Sequence, residues 1–376
     1  MTGLSLQSRG VFFLLVLISL SHAEFANRIE NSNFTISQDG TDQTYLYNYD
    51  RLRFRTDYTH GAFFATLIAD GVNYYGEDYV NSLDFQYIKL QKSDTLFKTQ
   101  TSLSDYSNGA SYAKLYRLYG GYEDDANRLV IGLQNIAMGV GHVWTPTNIF
   151  NPTNIYALEP DETFGIFGVT YTRHISDTSQ ITLVGSQRED DSYKFALQYK
   201  AYFDFADFAI DGVYSDDTKM LGYEVEANLG ETGIEVRSEG AYIKSKLKQT
   251  ALTTEEEEFF QCMVGAEYAF VDGITLTGEA LYSSKKFSYA QTLLNHDSEI
   301  VPNLVNSHLY TALTLSYSFN IYLDASLLYI ESFDDGGDRY IAPNVTYTLN
   351  DYNALTAGAM LHDSGDTYYL KWVFSF

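Results

Sequence analysis

Apolar and polar residues alternate strictly along this chain, in stretches about 10 to 13 residues long, and this pattern limits its possible folds more than any other feature. Tyr193, Phe195, Leu197, Tyr199, Ala201 and Phe203 interleave with Lys194, Ala196, Gln198, Lys200 and Tyr202. Leu221, Tyr223, Val225, Ala227 and Leu229 interleave with Gly222, Glu224, Glu226 and Asn228. Ile321, Leu323, Ala325, Leu327 and Tyr329 alternate with Tyr322, Asp324, Ser326 and Leu328. Side chains on a strand point to opposite faces in turn, so each stretch has one apolar and one more polar face. Many such stretches, with no segment of helical period, predict an all-β chain.

A soluble sandwich would alternate in the same way, and three further signals separate the two. The stretches have the length of a tilted strand crossing a bilayer, about 9 to 11 residues, where globular strands run to about 5 or 6. Tight connections at Ser176–Ser179, Gly230–Thr232, Val271–Gly273, Phe319-Asn320 and Asn350-Asp351 alternate with longer ones at 71–110, 137–163, 245–256, 285–306 and 333–338. That rhythm fits short periplasmic turns and long extracellular loops. The chain ends on Tyr368, Leu370, Trp372, Phe374 and Phe376, one aromatic face of a last strand. Such a strand would invite aggregation in a soluble protein. It resembles the C-terminal signature read by the barrel-insertion machinery of outer membranes.

The prediction is a transmembrane antiparallel up-and-down β-barrel. Seventeen strands count back from Phe376 to 43–57, and Asn33 to Gln38 supplies an eighteenth, which makes the number even and both termini periplasmic. Leu83 to Leu90 and Leu96 to Leu103 are either a further hairpin or, the preferred reading, parts folded within the long loop. The first 23 residues read as a cleaved signal peptide: Arg9, the apolar run Val11 to Leu20, then Ser21-His22-Ala23. The barrel therefore occupies residues 24–376, in the outer membrane of a Gram-negative bacterium. Its first strand follows the signal too closely for an N-terminal plug domain.

Composition agrees. Mean hydropathy is only -0.21, yet 16% of residues are aromatic, with 33 Tyr and 24 Phe. A barrel gives this profile because every second strand residue faces lipid and aromatic girdles mark the interfaces. The single Cys262 excludes an intramolecular disulfide framework and suits a small lipid-facing position. A net charge of -25 argues against nucleic acid as a partner. Glu123-Asp124-Asp125, Glu189-Asp190-Asp191, Glu255 to Glu258 and Asp334-Asp335 read as solvated loop charge, or as cation-bridged contacts to lipopolysaccharide. Apolar residues are spread evenly over the predicted outer face, and no strand shows an obvious subunit patch.

With the apolar face outward, Arg51, Arg53, Arg55, Lys114, Arg128, Lys194, Lys200 and Lys371 point into the lumen from one side. Asp211, Glu224, Glu226, Glu235, Glu239, Glu267 and Glu279 point inward mostly from the other, with Arg237 among them. Barrels of this size enclose water, and rows of charge discriminate between solutes. The Arg51/Arg53/Arg55 ladder needs acids or a ligand to offset its repulsion. Residues 137–163 hold Pro146, Pro152 and Pro160 with Gly139, Gly141 and Trp144, a rigid excursion that is either an inward constriction or an outer lid. Its candidate site residues are His142, Trp144, Pro146, Asn148, Phe150, Asn151, Pro152, Glu159, Pro160 and Glu162.

Three runs carry a family resemblance: Arg128 to Gln134; Gly139-x-Gly141-x-x-Trp144-x-Pro146-Thr147-Asn148-Ile149-Phe150-Asn151-Pro152; and Leu158-Glu159-Pro160-x-Glu162. Together they resemble the alginate-exporter-like outer-membrane barrels and their porin-like relatives. The resemblance implies an outer-membrane channel. The chain has Leu133 where the family has Arg, Met138 for its first Trp and Asn148 for its Asp. Loss of that Arg weighs against an anionic polysaccharide. The scattered histidines, without HExxH or G-x-S-x-G, predict no enzyme, metal or cofactor. The expected function is passage of small hydrophilic solutes. The alternative is a structural or partner-binding barrel, a sheath or an adhesive surface.

Overall fold

The computed structural model describes residues 24–40, 43–90, 93–334 and 337–376; the predicted signal peptide lies outside the described residues. The strands are β1 (Glu24–Asp39), β2 (Thr44–His60), β3 (Phe63–Tyr75), β4 (Gln100–Tyr106), β5 (Gly109–Glu123), β6 (Asn127–Gln134) and β7 (Ile166–Ser176). They continue with β8 (Ser179–Gln187), β9 (Tyr193–Tyr202), β10 (Asp207–Ser215), β11 (Thr218–Asn228), β12 (Ile234–Lys248) and β13 (Thr254–Ala269). The last are β14 (Ile274–Ser283), β15 (Leu309–Asn320), β16 (Leu323–Ser332), β17 (Arg339–Asn350), β18 (Asn353–His362) and β19 (Thr367–Ser375). Helices α1 (Glu77–Val80), α2 (Leu83–Leu90) and α3 (Tyr289–Leu294) lie in loops.

Each strand pairs antiparallel with the next around the wall, and β1 closes on β19 from Glu30↔Ser375 to Gln38↔Thr367. β4 is the exception, pairing with β5 alone, so eighteen strands form the closed barrel. Closure removes both free edges, which a sheet in hydrocarbon cannot leave unpaired. β1 and the end of β19 meet on the rim where the connections are tight: Ile29 and Phe376 exchange backbone hydrogen bonds of 2.9 Å. The long connections, 76–108, 135–165 and 284–308, all leave the opposite rim.

Several boundaries differ from expectation. β1 starts at Glu24, because residues 24–32 pair with Thr59 to Arg51 of β2, with Asn27 and Asn31 alternating with Phe25 and Ile29 on the outward face. The loop expected at 71–110 narrows to 76–108, since Gly71 to Tyr75 pair with both β2 and β5. The one expected at 245–256 shrinks to 249–253, where Lys244 bridges Glu256 and Glu258 across the extended hairpin. The loop expected at 137–163 spans 135–165. Leu83–Leu90 is helix, not strand, and residues 100–106 add β4 along the rim half of β5. β6 takes the other half of that edge, pairing only with Leu118 to Glu123.

Leu197, Leu221, Leu313 and Leu370 are exposed on the outer face, as lipid-facing residues must be. The buried apolar residues lie on the inner face at the loop rim. Phe34, Ile36, Tyr45 and Tyr47 pack under α1 and α2, with Tyr47 stacked on Tyr79 at 3.6 Å. Ile149 and Phe150 of loop 135–165 meet Ile243, Phe259, Ile300 and Leu304. Val143 meets Met263, Leu281 and Tyr310. Three loops therefore fold inward over the rim and bury apolar surface against the wall.

Candidate functional site: a loop slung across the lumen

β6 stops at Gln134 and the chain turns into the barrel. Gly132, at φ 130°, sits so close to β5 that a Cβ would lie 2.3 Å from the Leu118 carbonyl oxygen. Asn151 then fixes the base of the loop: its Oδ1 accepts from the Ile136 N–H at 2.6 Å and its amide donates to the Phe164 carbonyl. The Asn148 side chain brackets the Asn151 backbone, donating to its carbonyl and accepting from its N–H.

Beyond this base the loop is held on two sides. On the acidic side its backbone N–H groups donate to carboxylates of the wall. Gly139 donates to Glu224 at 2.6 Å, and Val140 and Thr147 to Glu239 at 2.9 and 2.7 Å. His142 and Val143 donate to Glu279 at 2.6 and 2.9 Å. Glycine suits 139 best: it has φ 93°, and a Cβ would lie 2.6 Å from the Glu239 carboxylate unless that side chain moved. On the basic side the loop supplies the acids. Glu159 takes both Nη atoms of Arg51 at 2.8 and 3.1 Å and Lys371 at 3.0 Å. Glu162 takes both Nη atoms of Arg53 at 2.7 and 2.9 Å, while Arg53 also grips Asp70 at 2.7 Å. Burial alone would raise the Glu162 carboxyl, but the Arg53 hydrogen bonds and the charges of Arg51 and Arg53 outweigh it and hold it at about 2.

The arginine ladder is thus a mooring. Arg51 and Arg53 bind loop acids, and Arg55 pairs with Asp57 on its own strand at 2.6 Å. Lys114 lies over the rings of Tyr116 and Phe164. Lys194 is buried and donates to the Ile149 carbonyl. Lys200 lies over Tyr202 and Arg128 pairs with Glu123, both away from the loop. Asp211 is fully buried beside Gln198, which also reaches Glu224. Arg237 pairs with Glu235 at 2.6 Å and with Glu267 at 3.6 Å, and Glu226 stands opposite it. The His142 side chain is half-exposed and 3.4 Å from Glu267. Trp144 packs on Tyr310, and Pro146 is buried with its carbonyl bound by Asn303. Pro152 and Pro160 are half-buried in the same loop. Tyr368, Leu370, Trp372, Phe374 and Phe376 all face outward. Cys262 also lies on the outer face, opposite Gly240 and Tyr282 and 3.3 Å from the Tyr223 hydroxyl.

Alternation alone misplaces Arg117. Ile68 pairs with Arg117 and Ala69 with Leu115, so a bulge at Tyr116 turns Arg117 inward. It donates to the Thr163 carbonyl at 2.9 Å. Asp70 and Glu299 also join only in space: Glu299 is buried against Arg188 at 2.8 Å, and Arg188 reaches Asp94 at 2.7 Å, joining three loops at the rim. A search restricted to charge also passes over β15 to β18. There Thr346 and Thr356 share a 2.8 Å hydrogen bond, Asn344 donates to Ser326 at 2.7 Å, and the inner wall is hydroxyl-rich, with Asp324 its acid, bonded to Ser318. Among the described residues no group of three or more His, Cys, Asp or Glu is placed to hold a metal.

No family profile and no curated protein sequence matches this chain. Solved structures do. Acinetobacter baumannii OccAB1 superimposes with a TM-score of 0.62 at 10% identity, over 94% of this chain and 96% of that one. The fold is that of an outer-membrane porin. Pseudomonas aeruginosa OccK8 (OprE) gives a TM-score of 0.57 at 10% identity, covering 94% and 98% of the two chains. Pseudomonas aeruginosa OpdK, solved with vanillate, gives 0.58 at 10% identity, covering 94% and 98%. The porin-like barrel and its closure are shared, while identities this low leave the lumen side chains to be read from this chain alone.

Proposed function

We propose that this protein is a channel of a Gram-negative outer membrane through which small hydrophilic solutes diffuse, with loop 135–165 forming its narrowest passage. The observation that carries this reading is the loop itself, bonded to Glu224, Glu239 and Glu279 on one wall and to Arg51, Arg53 and Lys371 on the other. A sheath for a protein partner needs a clear bore, and this bore is crossed. The motif shared with alginate-exporter-like barrels falls on the strand and loop that make the crossing. OpdK with vanillate supports a solute of small size. Export with a cleaved signal peptide and recognition of the outward aromatic C-terminal strand by the insertion machinery belong to the same reading, as does contact of the rim loops with lipopolysaccharide.

On the basic side Arg51, Arg53 and Lys371 are neutralised side chain to side chain, by Glu159, Glu162 and Asp70. The acidic side is not. Glu224, Glu239 and Glu279 take backbone N–H groups, which bring no opposing charge, and Arg237 is the one cation interposed among the acids of β10 to β14. The lumen field is therefore negative and favours cations. The test is planar-bilayer recording of the refolded protein across a salt gradient. Steady unitary currents with a cation-selective reversal potential are expected. A folded, heat-modifiable barrel that carries no current would remove the channel reading and leave a plugged or partner-binding barrel.

A further inference from the structure

The lumen wall changes from carboxylate to hydroxyl just beyond the loop. Glu279 of β14 holds the His142 and Val143 N–H groups. One inward position further from the loop rim stand Glu267 of β13, Thr277 of β14 and Thr314 of β15, each the direct cross-strand neighbour of the next. The following inward positions on β15 and β16 are Ser316 and Ser326, again directly opposed. Tyr310 and Ala312 are buried on the inner side and precede Thr314 and Ser316 at period two, so both hydroxyls face the bore. Thr277 donates to Glu267 at 2.8 Å, and Ser326 accepts from Asn344 at 2.7 Å. The half-buried Thr314 and Ser316 have no side-chain partner among the described residues.

On the flank of these hydroxyls three carboxylates surround one guanidinium. Glu226 is the cross-strand neighbour of Arg237, which reaches Glu235 at 2.6 Å and Glu267 at 3.6 Å. The Arg237 side chain is 1% exposed, against 35% for Glu235 and 26% for Glu267, so the bore meets carboxylate oxygen and not guanidinium. His142, 3.4 Å from Glu267, is the other basic group at this level. The inner face from β13 to β18 carries no Lys or Arg. Arg339 is the one such residue on those strands, and it faces outward because it precedes the buried Tyr340.

We infer that the solutes this channel favours are small cationic polyols, a protonated amine carried on a chain or ring of hydroxyl groups. The inference deepens the channel reading above and rests on it. The amine lies against Glu226, Glu235 and Glu267, and the hydroxyls lie against Thr314, Ser316 and Ser326. Neighbouring strands are about 4.8 Å apart, so Glu267 and Ser316 are separated by about 10 Å, comparable to one extended monosaccharide chain. A hydroxyl both donates and accepts, so a hydroxyl wall satisfies a polyol whichever way its O–H groups turn. A cation without hydroxyls leaves that wall to water. A solute bearing a carboxylate finds no free cation on this side, since Arg237 is already shared between two acids.

The test is recording from the full chain in planar bilayers at neutral pH, with N-methylglucamine chloride on one side and tetraethylammonium chloride on the other. The two cations are of similar bulk, and only the first bears hydroxyls. Chloride is balanced, so the reversal potential reads their permeability ratio. The wild-type channel is expected to pass N-methylglucamine several-fold more readily. Thr314→Val, Ser316→Ala and Ser326→Ala together are expected to bring the ratio to one or below. Thr314→Val alone, which keeps the side-chain shape, is expected to cause part of that loss, and Thr314→Ser, which restores a hydroxyl, to recover it. A wild-type channel that passes tetraethylammonium equally well or better, or a ratio indifferent to the triple and single substitutions, would overturn the inference. So would gluconate, a carboxylate on the same kind of chain, permeating as readily as N-methylglucamine. An inserted barrel that carries no current with any salt would instead remove the channel reading, and this inference would fall with it.

Discussion

Glu239 accepts from Val140, Gly141 and the backbone and hydroxyl of Thr147, so one buried carboxylate organises most of a turn of loop. Replacing it with alanine leaves those donors without a partner, and stability is expected to fall by about 3 kcal/mol. Equilibrium urea unfolding in detergent micelles measures this; Glu239→Gln, which keeps an acceptor, is expected to lose less. Glu162 makes a pH prediction. Its carboxyl is held at about 2 against an ordinary 4.5, so the folded state is the poorer proton acceptor. The stabilisation from this group is complete above about 4.5 and is lost as pH falls through about 2. Trp144 fluorescence in a Trp372→Phe background is expected to stay constant from pH 7 down to about 4.5 and to change mainly below 3. A transition centred near 4.5 would mean that Glu162 is not clamped by arginine. Lumen charge was readable in the sequence because alternation fixes a side chain's face. Its pairing was not, since Arg51 and Glu159 lie 108 positions apart.

Loop 135–165 owes its path to two glycines as much as to its prolines. At Gly132 an added methyl meets the Leu118 carbonyl and Tyr119 backbone of β5, neither of which can move without breaking the ladder. At Gly139 the nearest atoms are those of the Glu239 side-chain carboxylate. Gly132→Ala is therefore expected to impair assembly, seen as loss of the heat-modifiable band. Gly139→Ala is expected to assemble but to lift the loop from Glu239, raising unitary conductance and current noise. Equal behaviour of the two would contradict the assigned path. The prolines announced a rigid excursion, yet lid and inward loop are alike in local sequence. The choice between them lies with the wall acids, which come from β11, β12 and β14, far along the chain.

For the barrel as a whole, the unneutralised acids of β10 to β14 set the sign of the field. Among the acids of these strands that do not bond the loop backbone are Glu226, which stands opposite Arg237, and Glu235, which pairs with it. Glu226→Gln with Glu235→Gln is expected to move the reversal potential toward zero while leaving loop-dependent current noise unchanged. The shift should shrink at high salt, where the Debye length falls to about 3 Å at 1 M. No change in selectivity would place the selecting charges elsewhere.

Period-two alternation, the rhythm of short and long connections and the aromatic last strand were enough to derive a closed barrel of eighteen strands. These are local properties, repeated at every strand, and the pleat converts each into a face. The same rule misread β1, whose outward face is polar from Asn31 to Thr35, and β5, where a bulge at Tyr116 reverses the faces and brings Arg117 inward. Contacts across the bore lay beyond it altogether. Which acid meets which arginine, and which loop enters the lumen, follows from closure of the sheet. Closure sets residues distant in sequence a few ångströms apart, and no local pattern encodes that distance.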